Sequence, residues 1–305
     1  MVFTVQIEKN GLFFSSQFPW KLGIVLFMAY PSLQKTEDEL EKGIKFLTLD
    51  HFFDRLEVQK ISDEGWNKIK KYVECVDIAR AFQPDILAGK NLSALDEAKR
   101  KEAVEYVKSE MDVWLKRGVQ QFAVCSGHIT ANNIEEGKKQ FTKSIKELAE
   151  YALKNCAVIS IETFDIDKDK KQVLGPVHDA AKLVKELRKD YPNVFLMWDQ
   201  SHAPLLGETP DVLRDYADIL GVIHIGCGLK TNEGLLDWHP VYHTPGALND
   251  ENDLAKLFNV LLEIGYCGPV TVEIKPQEGQ TSEEVVNSAK GAIYTAYSLA
   301  VKKLL

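Results

Sequence analysis

The chain has 305 residues, 45% of them hydrophobic and 27% charged, with a formal net charge of -8 and a pI near 5.5. This is the composition of a globular protein long enough to bury a large core. Its acidity argues against a nucleic-acid or anionic-membrane partner, either of which calls for a basic face. The five cysteines, Cys75, Cys125, Cys156, Cys227 and Cys267, are odd in number and form no CxxC pair, so they read as reduced core thiols. The N-terminus lacks the basic start and apolar stretch of a signal peptide, and no run is long enough to span a membrane. A soluble, cytoplasmic protein is expected.

Along the chain, short apolar runs alternate with longer amphipathic ones rich in Lys and Glu, the pattern of repeated strand and helix units. Strands are expected at 22–29, 54–58, 77–82, 121–125, 158–164, 194–199, 221–225 and 270–274. Helices are expected at 36–46, 63–74, 94–117, 134–154, 177–190, 210–216, 252–264 and 282–303, with Ser93, Asp63 and Thr281 or Ser282 as capping residues. Eight such units make a (β/α)8 TIM barrel of the α/β class, a single domain over 1–305. Residues 1–20 precede the first strand as an extension, an extra strand or a cover for the barrel floor. The Gly- and His-rich segment 226–249 has no periodicity and reads as a long loop after the seventh strand, on the face where barrel enzymes keep their sites.

Four strand ends carry the chemistry. Glu162, Asp199, His224 and Glu273 close the fifth, sixth, seventh and eighth apolar runs. One charged residue at a strand end is ordinarily just solvated; four in register supply the O and N donors that suit a hard or borderline divalent ion. Inward positions alternate along a strand, so Ser160 and Glu162 share a face, as do Met197 and Asp199, Val222 and His224, and Thr271, Glu273 and Lys275. Each proposed ligand then sits one layer above an apolar or small residue. The expected cofactor is one divalent metal ion, Mn, Co, Zn or Mg, with Mn or Zn preferred.

Asp199-Gln-Ser-His202-Ala resembles a DxxHA motif, and Gly265-Tyr-Cys-Gly268-Pro-Val-Thr-Val-Glu273 resembles GYxGxxxxE. His243-Thr-Pro-Gly-Ala-Leu-Asn-Asp-Glu251 is a looser match to HxPGxGxxD, while Asn91-Leu-Ser93 and Val124-Cys-Ser-Gly127-His128 fall where NLxS and VHPG occur. Together these resemble the xylose-isomerase-like TIM barrel superfamily of sugar isomerases and epimerases, dehydratases and family 2 AP endonucleases. That resemblance implies a metal on Glu162, Asp199, His224 and Glu273, with His202 binding substrate beside it. It also implies epimerisation through an enediolate, Glu162 and Glu273 removing and returning a proton on opposite faces of one carbon.

The sequence also departs from that family. Where epimerases carry an Asp and an Arg after the strand-seven His, this chain has Lys230, a point charge without the guanidinium fork. Asp237-Trp-His239 resembles the Asp-x-His of the three-zinc endonucleases, yet the third strand has no histidine and Cys125 holds the fourth-strand position. His128 and Lys275 are further candidates for contact with substrate. Glu57 reads as an ion-pair partner of Arg55, Trp238 and Phe82 as packing aromatics, and the lysines of 68–71 and 168–171 as solvated surface. The expected activity is that of a metal-dependent isomerase or epimerase on a sugar or keto-polyol. The alternatives are a dehydratase on a keto-polyol, an endonuclease IV-like hydrolase and a non-catalytic sugar-binding barrel. The expected partner is a small polyhydroxy substrate, with no nucleic acid or membrane, and the chain is a possible homo-oligomer.

Overall fold

The computed structural model describes residues 3–128 and 133–305. Two strands, β1 (Thr4–Lys9) and β2 (Leu12–Gln17), form an antiparallel hairpin ahead of the first barrel strand. The barrel repeat then runs β3 (Leu22–Val25), α1 (Leu26–Ala29), α2 (Leu40–Thr48), β4 (Arg55–Val58), α3 (Asp63–Ile69), β5 (Asp77–Ala81), α4 (Gln83–Leu87), α5 (Glu97–Lys116), β6 (Gln121–Val124) and α6 (Ile134–Lys154). It continues with β7 (Val158–Glu162), α7 (Val177–Leu187), β8 (Val194–Asp199), α8 (Ala203–Leu206), β9 (Leu220–Ile225), β10 (Leu229–Thr231), β11 (Gly234–Leu236), α9 (Glu251–Glu263), β12 (Val270–Val272) and α10 (Ser282–Leu304). The eight strands β3 to β9 and β12 close into one parallel barrel, with β12 paired to both β3 and β9. The expected (β/α)8 fold is therefore the observed one.

Differences from the expected elements lie at the strand ends. The first strand stops at Val25, where the chain turns into α1 and Tyr30 N–H bonds the Leu26 carbonyl. The segment Pro210–Tyr216 is a 3₁₀ helix rather than an α-helix. Helix α5 is capped by Asp96, whose carboxylate accepts from Ala98 and Lys99 N–H, while Ser93 is buried and its hydroxyl bonds the Ser126 carbonyl. Ser62, not Asp63, caps α3. The 226–249 segment is not wholly irregular, since it contains the β10–β11 hairpin. Of the cysteines, Cys125 and Cys227 are buried but Cys75, Cys156 and Cys267 are exposed, so only two are core thiols; all five are free.

The N-terminal hairpin packs against α10, and the residues just after it reach the base of the barrel. Trp20 Nε1 donates to the Tyr266 carbonyl at 2.8 Å and Tyr297 of α10 donates to the Gln17 carbonyl at 2.7 Å, while Phe18, Trp20, Phe258 and Tyr297 pack edge to face. Inside the barrel, glycine makes room for charge. A Cβ on Gly23 would lie 2.7 Å from Thr271 Oγ1 and 3.1 Å from Arg55 Cδ, so the missing side chain lets the Arg55 side chain lie inside β3 and β4. Above it Ala123, Met197 and Val222 form an apolar layer. Among the described residues no helix is long and apolar enough to cross a membrane.

Candidate metal centre and cavity

The ends of β7, β8 and β9 and the residue after β12 converge. In register, Asp199 stands beside His224 and Glu162 beside Met197, two residues below Asp199. Glu273 continues the ladder past Val272, its N–H bonded to the Ile225 carbonyl at 2.9 Å. Gly226 allows this approach, because a Cβ there would lie 2.5 Å from the Glu273 carbonyl oxygen. One ligand atom from each of Glu162, Asp199, His224 and Glu273 lies within 4.8 Å of the others.

Glu162, Asp199 and His224 are buried, Glu273 is partly buried, and the charges are unevenly satisfied. His224 Nδ1 is 2.8 Å from Glu273 Oε2 and 3.6 Å from Glu162 Oε1, and its Nε2 is 3.0 Å from Glu57 Oε2. Glu162 Oε1 and Asp199 Oδ2 are buried without a hydrogen-bond donor among the described residues. Burial pushes the Glu162 carboxyl up to about 8, against the pull of His224 and His202 and with help from Glu273 and Asp199. At His224 burial opposes the charged form, but Glu57 and Glu273 outweigh it and hold the imidazole well above its ordinary value. Convergent carboxylate oxygens and one imidazole, with two oxygens unpartnered, fit a divalent ion.

A second group adjoins the first. Asp199, His202 and His239 also bring one ligand atom each within 4.8 Å of one another. His202 Nε2 lies 3.4 Å from Asp199 Oδ2 and 3.1 Å from Asp237 Oδ1, and His239 Nε2 lies 2.6 Å from the same Asp237 oxygen. His239 is held at φ 53°, a left-handed backbone rarely adopted by residues other than glycine, and its carbonyl accepts from Lys275 N–H at 2.7 Å. Despite its burial, the charges of Glu273 and Asp237 keep the His239 imidazole at about 9.

Above the carboxylates opens a cavity of about 300 Å³. Its lining includes Glu57, Gln83, Glu162, Lys170, His224, Asp237, His239, Glu273 and Lys275 beside an apolar wall of Phe27, Met28, Leu87 and Trp238. Lys275 Nζ sits 4.3 Å above the Trp238 ring, which is itself 41% exposed. Three candidates from the sequence lie elsewhere. His128 is exposed, its Nδ1 against the Lys171 carbonyl, and Lys230 is exposed on β10; neither lines the cavity. His202 is buried behind Asp199 and Asp237, with Nδ1 on the Thr163 carbonyl at 2.7 Å, so it faces carboxylates rather than the cavity. Phe82 is packing, fully buried against Phe122 and Arg80.

Sequence reasoning passed over three residues that the fold brings in. Gln83, the first residue of α4, donates from Nε2 to Glu162 Oε2 at 2.7 Å; the only signal was its place just past β5. Lys170, read as solvated, reaches Asp237 through its carbonyl at 3.0 Å and its carboxylate at 3.4 Å, because Asp165 gathers the N–H groups of Lys168, Asp169 and Lys170 and folds that loop back over the mouth. Glu57 does pair with Arg55, at 3.2 Å, but its other oxygen belongs to His224.

The family model for the xylose isomerase-like TIM barrel matches residues 41–289. Among solved structures, an L-ribulose 3-epimerase is 18% identical with a TM-score of 0.72, covering 93% of this chain and 96% of its own. A 3-keto-D-glucoside 4-epimerase from E. coli is 15% identical with a TM-score of 0.67, covering 90% and 98%. A D-psicose 3-epimerase from Clostridium cellulolyticum H10, solved with D-tagatose, is 18% identical with a TM-score of 0.66, covering 92% and 98%. No curated protein matches the sequence. The family model spans most of the chain and the barrel closes as that fold requires: the protein belongs to the xylose isomerase-like TIM barrel family.

Proposed function

We propose that the protein is a divalent-metal-dependent isomerase or epimerase of a sugar or keto-polyol. The observation that carries this reading is the convergence of Glu162, Asp199, His224 and Glu273, with Glu162, His224 and Glu273 lining a cavity of about 300 Å³, the low end of the size of a small-molecule site. Epimerases of ribulose, psicose and a keto-glucoside share the fold. The four residues would hold one Mn, Zn, Co or Mg ion. A bound ion supplies Lewis acidity, lowering the cost of removing a proton next to a substrate carbonyl.

The chain's own groups perform the proton transfer. Glu162 and Glu273 reach the cavity from β7 and from the end of β12, so one carboxylate can take the proton and the other return it from the other side. Gln83 holds Glu162 Oε2 at 2.7 Å and keeps that carboxylate oriented. Trp238 and Phe27 give the cavity an apolar side for the carbon face of a sugar, and Lys275 and Lys170 bring positive charge to its rim.

The test is incubation with a panel of ketoses in deuterated water with Mn²⁺ or Zn²⁺, read by mass spectrometry and NMR. Deuterium entering the carbon next to the carbonyl, with an epimer or isomer as product, is the expected result. Loss of water from the product would favour the dehydratase, which shares the first proton transfer. No exchange with any ketose would favour a non-catalytic sugar-binding barrel.

One observation supports a hydrolytic second reading. Asp199, His202 and His239, with Asp237 against both imidazoles, make a second ligand group suited to a further ion. Against it, Gln83 at the start of α4, just past β5, and Cys125, just past β6, stand where a three-zinc site would need imidazoles.

A further inference from the structure

The structure assigns to Glu57 the role of positioning residue for His224: it fixes Nε2 as the protonated ring nitrogen and leaves Nδ1 to face the carboxylate cluster. This rests on the metal-dependent reading above. A carboxylate oxygen only accepts, so the 3.0 Å contact between His224 Nε2 and Glu57 Oε2 places a proton on Nε2. Nδ1 looks toward Glu273 and Glu162, at 2.8 and 3.6 Å; by the same rule it donates to Glu273 in the metal-free protein, and it is the nitrogen placed to give up its proton and ligate while Nε2 keeps its own on Glu57. Ligating histidines are commonly held this way, the distal N–H given to a carboxylate that sets both tautomer and ring orientation.

Glu57 is itself held against rotation. Its other oxygen, Oε1, accepts from Arg55 Nε at 3.2 Å and from Thr271 Oγ1 at 2.8 Å. Arg55 is anchored in turn to Asp77 at 2.9 Å and to the side-chain amide oxygen of Gln121. Arg55, Glu57, Thr271 and His224 are all buried, so no solvent competes for these contacts. The result is a column of hydrogen bonds from the barrel floor to the metal site.

The asymmetry gives a specific consequence for Glu57→Gln. Two donors point at the Oε1 position, so the new amide oxygen belongs there and the NH₂ group faces His224 Nε2. The imidazole must then accept at Nε2 and carry its proton on Nδ1, the wrong tautomer for ligation. Loss of such an outer partner typically weakens metal binding by about 10- to 100-fold.

The experiment is ¹⁵N NMR of histidine-labelled protein, first metal-free and then titrated with Zn²⁺, beside zinc affinity from chelator competition. In the wild type an Nε2-bound proton on His224 is expected in both states, with the Zn²⁺-induced shift on Nδ1. In Glu57→Gln the Nε2 proton is expected to disappear and zinc affinity to fall about 10- to 100-fold. Thr271→Val, which keeps the carboxylate, should retain the Nε2 proton. Ligation of zinc through Nε2 in the wild type, or an unprotonated Nε2 there, overturns the assignment even if the Gln variant does not fold. An Nε2 proton in a wild type that takes up no zinc would instead overturn the metal-dependent reading and leave the tautomer assignment standing.

Discussion

At the floor of the barrel Arg55 meets Glu57, Asp77 and the Gln121 amide, and Lys21 adds a second cation on Asp77 at 3.2 Å. At the mouth Glu162, Asp199, Asp237 and Glu273 face three imidazoles and the ammonium of Lys170, and among the described residues three carboxylate oxygens, Glu162 Oε1, Asp199 Oδ2 and Asp237 Oδ1, have no hydrogen-bond donor. Both sets lie inside one barrel, with Lys21 exposed, Asp77, Gln121, Lys170 and Glu273 partly exposed and the rest buried, but only the lower one closes on itself. A buried ion network that satisfies every member is structural, whereas one that leaves convergent acceptors open is arranged around something that enters. Glu57 joins the two, with one oxygen in each.

The contrast predicts opposite phenotypes for the two ends. At the mouth, Glu162→Gln should lower kcat by about 10²- to 10⁴-fold on a substrate found by the deuterium screen, with little change in thermal stability. A large fall in the melting temperature with activity intact would reverse the assignment of that end. At the floor, Arg55→Met leaves Glu57 and Asp77 without their buried cation and should cost about 3–5 kcal/mol in urea unfolding. Gly23→Ala, with its Cβ 2.7 Å from Thr271 Oγ1, should cost about 1–3 kcal/mol by the same measurement.

Acidity separates the ends in the same way. Glu162 is raised to about 8 and His239 to about 9, so in the metal-free protein both keep protons that an unfolded chain gives up at lower pH. The stability they contribute is complete below their ordinary values and lost as pH rises through about 8 and 9. Glu57 runs the other way: burial raises it, His224 and Arg55 outweigh that and bring it to about 2, so its contribution is lost only in strong acid. Metal binding must expel the protons at the mouth, and chelator competition should show affinity rising by about tenfold per pH unit for each proton released. A flat profile between mildly acidic and mildly alkaline pH would contradict the placement of the ion among these groups. The smallest effect is expected outside both regions, where Lys230→Ala and His128→Ala should change kcat/KM by less than about twofold.

Much of the barrel was readable because its signal is local. Each strand is a short apolar run and each long helix an amphipathic one, so alternation alone gave the eight strands, and Glu162, Asp199 and His224 fall in the last two positions of theirs. What was not readable depends on how loops fold back. Lys170 and Lys230 look alike in sequence, but Asp165 turns the first over the mouth while the β10–β11 hairpin keeps the second exposed. Glu57 paired with Arg55 could be read along one strand; its bond to His224 crosses the barrel, over 167 positions of sequence. His202 follows the motif in sequence, but its imidazole is buried against Asp237, contributed by the distant loop after β11.

The most direct test is the metal content of the purified protein after equilibrium dialysis against Mn²⁺ or Zn²⁺, beside Glu273→Gln. About one ion per chain in the wild type, lost or sharply reduced in the variant, is the expected result. A wild type that retains no ion, or a variant that binds it as well, would contradict a metal centre on Glu162, Asp199, His224 and Glu273.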